Sequence, residues 1–177
     1  ATVEDVEFPD LPYGAVTKTI LSSEVSASFD EFIEAGGPAG LTAPESRVMP
    51  YAQTAVLAKE YLRALRIRGV MSKAVDEVLS GYDAVVAPTN DEVAPPIDQE
   101  FRDIGDDLVG DVVGAISNGV GLPSISVPNG FSDAGLPTGI QFMGRAYDEN
   151  LIIAVAQAYQ SLTDWHQRHP PDLLTSD

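Results

Sequence analysis

The sequence contains no cysteine among its 177 residues. This absence excludes disulfide bonds, thiolate zinc sites and a cysteine nucleophile within these residues. Long apolar runs are also missing, since no window approaches the ~18 consecutive apolar residues that a transmembrane helix requires. The first residues, ATVEDVEF, carry neither the basic nor the apolar region of a secretory signal peptide, so we expect a cytoplasmic protein.

Basic residues are scarce. Lys and Arg total 10 against 27 Asp and Glu, which gives a net charge of −17. Such a surface repels the phosphate backbone of nucleic acids and anionic lipid headgroups, so we expect neither nucleic acid nor membrane as a partner. The excess of acid is typical either of a salt-adapted source or of an ordinary acidic bacterial protein, and the sequence leaves both open.

Residues 1–82 predict a mainly helical region. Apolar residues recur at helical spacing from Tyr13 to Ala35 and again from about Tyr51 to Gly81. The segment between them, residues 38–50, contains three prolines and predicts a loop.

Residues 83–170 change period and predict strand, helix, two strands and a final helix. The short apolar run from Asp83 to Thr89 is typical of a strand buried on both faces. The further predicted elements are a helix at 108–118, strands at 124–127 and 138–143, and a helix from about 148 to 165. This order predicts an α/β fold with helices layered on a mixed β-sheet, followed by a tail at 171–177.

Residues 121–145 read GLPSISVPNGFSDAGLPTGIQFMGR. Ile125 and Val127 alternate with Ser124 and Ser126, so we expect the two pairs to face opposite sides of a sheet. We interpret this segment as a pair of strands that inserts beside other strands.

Turn-forming residues punctuate this strand pair. Asn129-Gly130 predicts a tight reversal, because both residues tolerate the positive φ angles of a two-residue turn. Gly135 and Gly139 are interpreted as points of close backbone approach, and Gly144 as the point where the chain turns away.

The order of these motifs resembles the C-terminal portion of amidase-signature enzymes, over about residues 83–170. The matching strand carries Asp83, Pro88 and Thr89, and the helix that follows ends in Asn118. The central match is the doubled Gly-Leu-Pro motif with Gly121, Leu122, Pro123, Pro128, Gly130, Gly135, Pro137, Gly139, Gln141 and Gly144. Arg145, Asp148-Glu149, Thr163, Trp165, His166 and Pro170 continue it in the same order.

The resemblance implies an α/β/α sandwich with a mixed sheet, of which residues 1–177 are the C-terminal part of a single domain. It also implies hydrolysis of a carboxamide to a carboxylate plus ammonia or an amine by a Ser–Ser–Lys triad. No segment here matches the family's Gly-Gly-Ser-Ser-Gly-Gly stretch. We therefore expect no catalytic residue, metal or cofactor in this chain, and no activity until an N-terminal catalytic portion completes it.

The resemblance further implies that the helix at 108–118 borders an acyl channel. Asp111, Ala115 and Asn118 lie at positions i, i+4 and i+7, on one face of that helix, and are candidate pocket residues. Thr89, just beyond a strand end, is a fourth candidate. Core packing for Ala115 and capping for Asn118 remain alternatives.

Other polar groups have simpler interpretations. Lys18 and Ser22-Ser23 lie at helical spacing and resemble a Ser–Ser–Lys set, but they are interpreted as surface residues. His166 and His169 are interpreted as solvated tail histidines, with Trp165 beside them packed on the core. The acidic residues of the loop are interpreted as solvated: Asp91, Glu92, Asp98, Glu100, Asp103, Asp106, Asp107 and Asp111.

Two alternatives concern function. The chain could be a non-catalytic binding or scaffolding protein derived from the amidase fold, and an unrelated α/β domain is a lesser alternative. The family includes hydrolases of several amide classes and a glutamine-to-tRNA transfer subunit. The transfer subunit is disfavoured because Ser23-Glu24-Val25-Ser26 stands where its Ala-Glu-Ala-Ser-Ser-Asn helix is expected.

The expected partners are the N-terminal catalytic portion and a small amide substrate, and the completed enzyme could form a homo-oligomer.

Overall fold

The computed structural model of the protein describes residues 1–90, 92–98 and 112–169. Its helices are α1 Tyr13–Ser28, α2 Asp30–Glu34, α3 Pro44–Gln53, α4 Ala58–Leu79, α5 Val112–Val120 and α6 Glu149–Leu162. Its strands are β1 Val85–Pro88, β2 Ser124–Phe131 and β3 Pro137–Met143, and short 3₁₀ helices span Gly37–Gly40 and Trp165–Gln167. The predicted tail at 171–177 lies outside the described residues.

The three described strands form an antiparallel sheet in the order β1–β3–β2. On one face Val85 and Met143 pack into a core formed with α1, α4 and α5. On the other face Val127 and Phe142 pack against Ala156 of α6. Helices therefore cover both faces of the sheet, which confirms the predicted α/β class.

The larger core lies where α4 and α5 meet the sheet. Met71, Leu79, Ile116 and Met143 are at most 1% exposed. Helix α4 reaches this core through Ala64, Met71, Val75 and Leu79, which recur at the spacing of one helical face. Of the apolar residues that predicted a helix here, Met71 and Leu79 are buried, whereas Leu62 and Val70 are exposed.

The predicted boundaries in the first half are wrong in three places, the first being the helix expected from about Tyr51, which begins only at Ala58. The helix expected from Tyr13 to Ala35 is interrupted at Phe29, which separates α1 from α2. The loop expected at residues 38–50 contains a 3₁₀ helix and most of α3. Helix α3 begins at Pro44, and a proline at the first helical position loses nothing because its missing N–H would have had no partner.

The predicted reversal at Asn129-Gly130 is also wrong. Strand β2 continues to Phe131 with an irregularity between Pro128 and Gly130, and the Asn129 side chain accepts a hydrogen bond from Thr138 Oγ1 at 2.8 Å. The chain reverses at Ser132–Gly135 instead, where the Gly135 N–H donates to Ser132 O at 2.9 Å. Gly135 has a φ of 77°, a left-handed conformation that glycine adopts without strain.

The two faces of β2 follow the predicted alternation. Ile125 and Val127 belong to the cluster under α6, whereas Ser124 and Ser126 bond to side chains on the opposite face. Val86 in β1 is 44% exposed, so the expected burial of this strand on both faces is wrong for the described residues. Within those residues no helix is long and apolar enough to cross a bilayer.

Candidate functional site

A row of polar side chains crosses one face of the sheet. Thr89 Oγ1 and Ser126 Oγ are 2.6 Å apart and share a hydrogen bond. Beside them, Ser124 Oγ donates to Gln141 Oε1 at 3.2 Å, and Gln141 Nε2 donates to Pro88 O at 2.9 Å. The row therefore connects all three strands through side chains as well as through the backbone.

The Thr89–Ser126 pair has one hydroxyl hydrogen that is not used in the hydrogen bond between the two side chains. Each hydroxyl carries one hydrogen, and their mutual bond uses one of the two. A Cβ on Gly139 would lie 2.8 Å from Thr89 Oγ1 and 3.3 Å from Ser126 Oγ, so the glycine makes room for the pair. Thr89, a predicted pocket residue, therefore belongs to a pair of hydroxyl groups that can still donate one hydrogen bond.

Helix α5 carries two further pocket candidates, Ala115 and Asn118. From Ala115 to Val120 every residue is buried except Asn118, which is exposed. No hydrogen bond holds the Asn118 amide among the described residues, so its donors and acceptor are available to a ligand. Asp111, the remaining candidate, lies outside the described residues.

A cavity of about 1290 Å³ lies between the N-terminal segment, the start of β1 and α5. Val113, Ala115, Phe142 and Val155 give it apolar walls, and Ala115 is the predicted pocket residue that lines it. Thr89 and Asn118 lie outside its lining, so the described residues do not bring the candidates into one pocket.

The rim of this cavity is polar. Asp5 and Asp10 line it together with Tyr13, whose hydroxyl donates to Pro9 O at 3.0 Å. Burial raises the pKa of the Tyr13 phenol, and the nearby Asp10 carboxylate raises it further. The cavity therefore combines an apolar wall with an acidic margin.

The contact between Arg68 and the end of α5, here called the polar clamp, was not predicted from the sequence. Arg68 Nε donates to Gly119 O at 2.8 Å. Ser117 O accepts from the N–H groups of Gly121 and Leu122, each at 2.9 Å, and Gly121 has the left-handed φ of 79° that ends many helices. Two of the last carbonyls of the helix are thereby satisfied.

One sequence signal marks this clamp. Arg68 falls on the buried stripe of α4, between Ala64 and Met71, where a charged residue needs a partner. The arginine fixes the end of α5 directly after Asn118. We therefore regard Arg68 as a positioning residue for that end of the helix.

Arg68→Met will lower the free energy of unfolding by about 1–3 kcal/mol, because a half-buried carbonyl loses a charge-assisted donor. Arg66→Met is the matched control, since Arg66 is exposed on the same helix and should change stability by no more than about 0.5 kcal/mol. Urea denaturation of both variants measures the difference. Equal midpoints for the two variants would show that the clamp contributes nothing.

The remaining polar groups do not form a second site. Ser23 Oγ donates to Thr19 O at 2.9 Å within its own helix, and Lys18 is exposed. Trp165 packs edge-on against Phe131 with ring centroids 6.4 Å apart, while both histidines beyond it are exposed. Across the described ranges, no three His, Asp or Glu side chains converge as metal ligands would.

Comparison with known proteins identifies the family to which the chain belongs. The model of the family described as Amidase matches residues 1–153. A glutamyl-tRNA(Gln) amidotransferase subunit of Chloroflexus aggregans is 41% identical over 110 residues, covering 62% of this chain and 22% of that protein. The corresponding glutamyl-tRNA(Gln) amidotransferase subunit of Methanosarcina mazei is 37% identical over 115 residues, covering 65% and 24%.

Solved structures agree with this assignment. The native peptide amidase of Stenotrophomonas maltophilia superposes with a TM-score of 0.65 at 30% identity, over 94% of this chain and 37% of that enzyme. The chain spans less than a quarter of the length of the two curated relatives. Because the family model covers well over half of its residues, this chain belongs to the amidase family.

Proposed function

We propose that this chain is the C-terminal portion of an amidase that hydrolyses a carboxamide to a carboxylate plus ammonia or an amine. Its nucleophile would come from sequence outside the 177 residues. The observation that carries this proposal is a family match without a serine–lysine pair: Lys18, Lys59 and Lys73 are all exposed, and among the described residues no serine hydroxyl bonds to any of them.

The hydrogen bonds of the serines support the same proposal. Ser23, Ser72 and Ser117 donate to backbone carbonyls of their own helices. A nucleophilic serine instead needs its hydroxyl beside a base that accepts the proton.

The proposed reaction has two steps. The serine oxygen of the catalytic portion bonds to the amide carbon, the C–N bond breaks, and the nitrogen leaves with a proton as ammonia or an amine. Water then hydrolyses the acyl-serine to the carboxylate and restores the hydroxyl. This chain would contribute pocket walls, with Thr89, Asp111, Ala115 and Asn118 as the proposed lining.

An amidotransferase role is the second candidate. Its support is the 37–41% identity to proteins named as glutamyl-tRNA(Gln) amidotransferase subunits. In that role the same C–N cleavage would act on glutamine, and the nitrogen would pass to an acceptor. Substrate specificity separates the two roles. Ammonia released from glutamine alone indicates the amidotransferase role, whereas release from other amides indicates hydrolysis.

A fluorophosphonate probe tests the proposal on the natural protein, whose intact mass is measured first. We expect the probe to label one serine outside these 177 residues, with ammonia released from primary amides. Label on Ser22, Ser23 or any other serine of this chain would contradict the external nucleophile. If the probe labels no serine and no amide is hydrolysed, the binding or scaffolding alternative is favoured instead.

A further inference from the structure

Helix α4 presents a basic strip to solvent. The helix holds five of the ten Lys and Arg residues of a chain whose net charge is −17. Arg68 binds the end of α5, and the other four are exposed on one face of the helix: Lys59, Arg63, Arg66 and Lys73. At 1.5 Å per residue this strip is about 21 Å long. Within the described ranges, Lys59 alone of the four has an ion-pair partner, Glu60 at 3.9 Å.

Exposed apolar side chains lie on the same face of α4. Leu62 and Val70 are each more than half exposed. Gly69, beside Val70, has no atom within 4 Å of the position of a Cβ, so the surface there is open. Apolar side chains with charged residues around them are typical of a protein–protein interface, which has an apolar centre and a polar rim.

A second exposed surface has the opposite charge. It consists of α2 and the residue before it, which contribute three exposed acids and two aromatic rings: Asp30, Glu31, Glu34, Phe29 and Phe32. The two rings are 56% and 44% exposed. None of the three carboxylates has a hydrogen bond or an ion pair in the part of the chain that the structure describes. This acidic patch therefore complements the basic strip in charge and, like the strip, exposes apolar side chains.

We propose that the basic strip of α4 binds the acidic patch of a second copy of this protein. Charge selects this occupant, because a copy with a net charge of −17 is repelled by an acidic surface and attracted where cations are concentrated. The two surfaces do not pair within one molecule, since Arg63 and Arg66 form no bond to the described acids of α2. Each copy carries one strip and one patch, so two copies exchange them in a closed dimer with two identical contacts. This assembly goes beyond the proposed reaction and does not depend on it.

Sedimentation equilibrium of the natural enzyme and of two charge-reversal variants tests this dimer. One variant combines Arg63→Glu with Arg66→Glu, and the other combines Glu31→Arg with Glu34→Arg. We expect a dimer for the natural enzyme. Each variant alone should show a dissociation constant at least ~100-fold higher, since like charges then face each other. An equimolar mixture of the two variants should regain the dimer, because each strip again meets a patch of opposite charge.

Arg168→Glu is the matched control, because it makes the same kind of charge reversal beside Trp165, which packs against β2. This variant should dimerise as the natural enzyme does. Stability comparisons at residues of the strip are made at concentrations below the dissociation constant, where the protein is monomeric.

Each outcome decides the proposal. Recovery of the dimer only in the mixture supports it and shows that both variants are folded. A monomeric natural enzyme, a dimer that both variants retain, or variants that stay apart when mixed would each overturn it. A monomeric enzyme in which the strip variant loses amide turnover would place the strip against the rest of the same polypeptide and would also overturn it. Association is measured without substrate, so its failure leaves the proposed amide hydrolysis unaffected.

Discussion

Met71→Ala will lower the free energy of unfolding by about 2–5 kcal/mol, the range observed when large core side chains are truncated. Met71 is fully buried in the cluster that joins α1, α4 and α5 to the sheet. Its Cε lies 3.5 Å from the position of a Cβ on Gly119, so the side chain also supports the end of α5. The truncation opens a cavity at the junction of three helices.

Val70→Ala is the matched control for this prediction. Val70 is the preceding residue of α4 and is 61% exposed, so its truncation should change stability by no more than about 0.5 kcal/mol. Urea denaturation followed by Trp165 fluorescence measures both variants. The core assignment of Met71 would be wrong if its midpoint moved no further than that of the control.

Gly144→Ala will destabilise the protein by about 1–3 kcal/mol through overpacking. A Cβ at this buried glycine would lie 2.5 Å from Cγ2 of Ile152, a residue of α6 that is 3% exposed. The added methyl group must push α6 away from the sheet or force Ile152 out of its rotamer. Gly69→Ala is the control, because no atom lies within 4 Å and alanine favours a helix by about 0.8–1.0 kcal/mol.

A double-mutant cycle separates overpacking from backbone strain. Ile152→Ala removes the Cγ2 atom that the new methyl group meets, so Gly144→Ala should cost at least about 1 kcal/mol less in that background. Thermal unfolding of the two single variants and the double variant gives the coupling energy. Strict additivity would mean that the contact between Gly144 and Ile152 does not limit the packing.

The sequence predicted most of the fold because burial here follows regular periods. The apolar stripe of α4 and the alternation in β2 are properties of the chain itself, and both appear in the structure. The turn was misplaced because Asn129-Gly130 is a strong local turn signal, whereas in the structure these residues stay paired with β3 and the chain reverses after Phe131. Helix α3 was missed because Pro44, read as a loop residue, begins a helix.

The site was less predictable than the fold. The clamp between Arg68 and Gly119 joins residues 51 positions apart, so no local pattern specifies it. The pocket candidates on the helix were inferred from a resemblance, and among the described candidates only Ala115 lines the cavity, whereas Thr89 and Asn118 lie outside it.

The hydroxyl pair of Thr89 and Ser126 has two proton arrangements of equal geometry. Either oxygen can donate across their 2.6 Å contact, and the other then keeps its hydrogen for a third group. Rotation about two C–O bonds exchanges these roles without displacing any heavy atom. An acceptor arriving from the β1 side or from the β2 side would therefore meet a donor in either case.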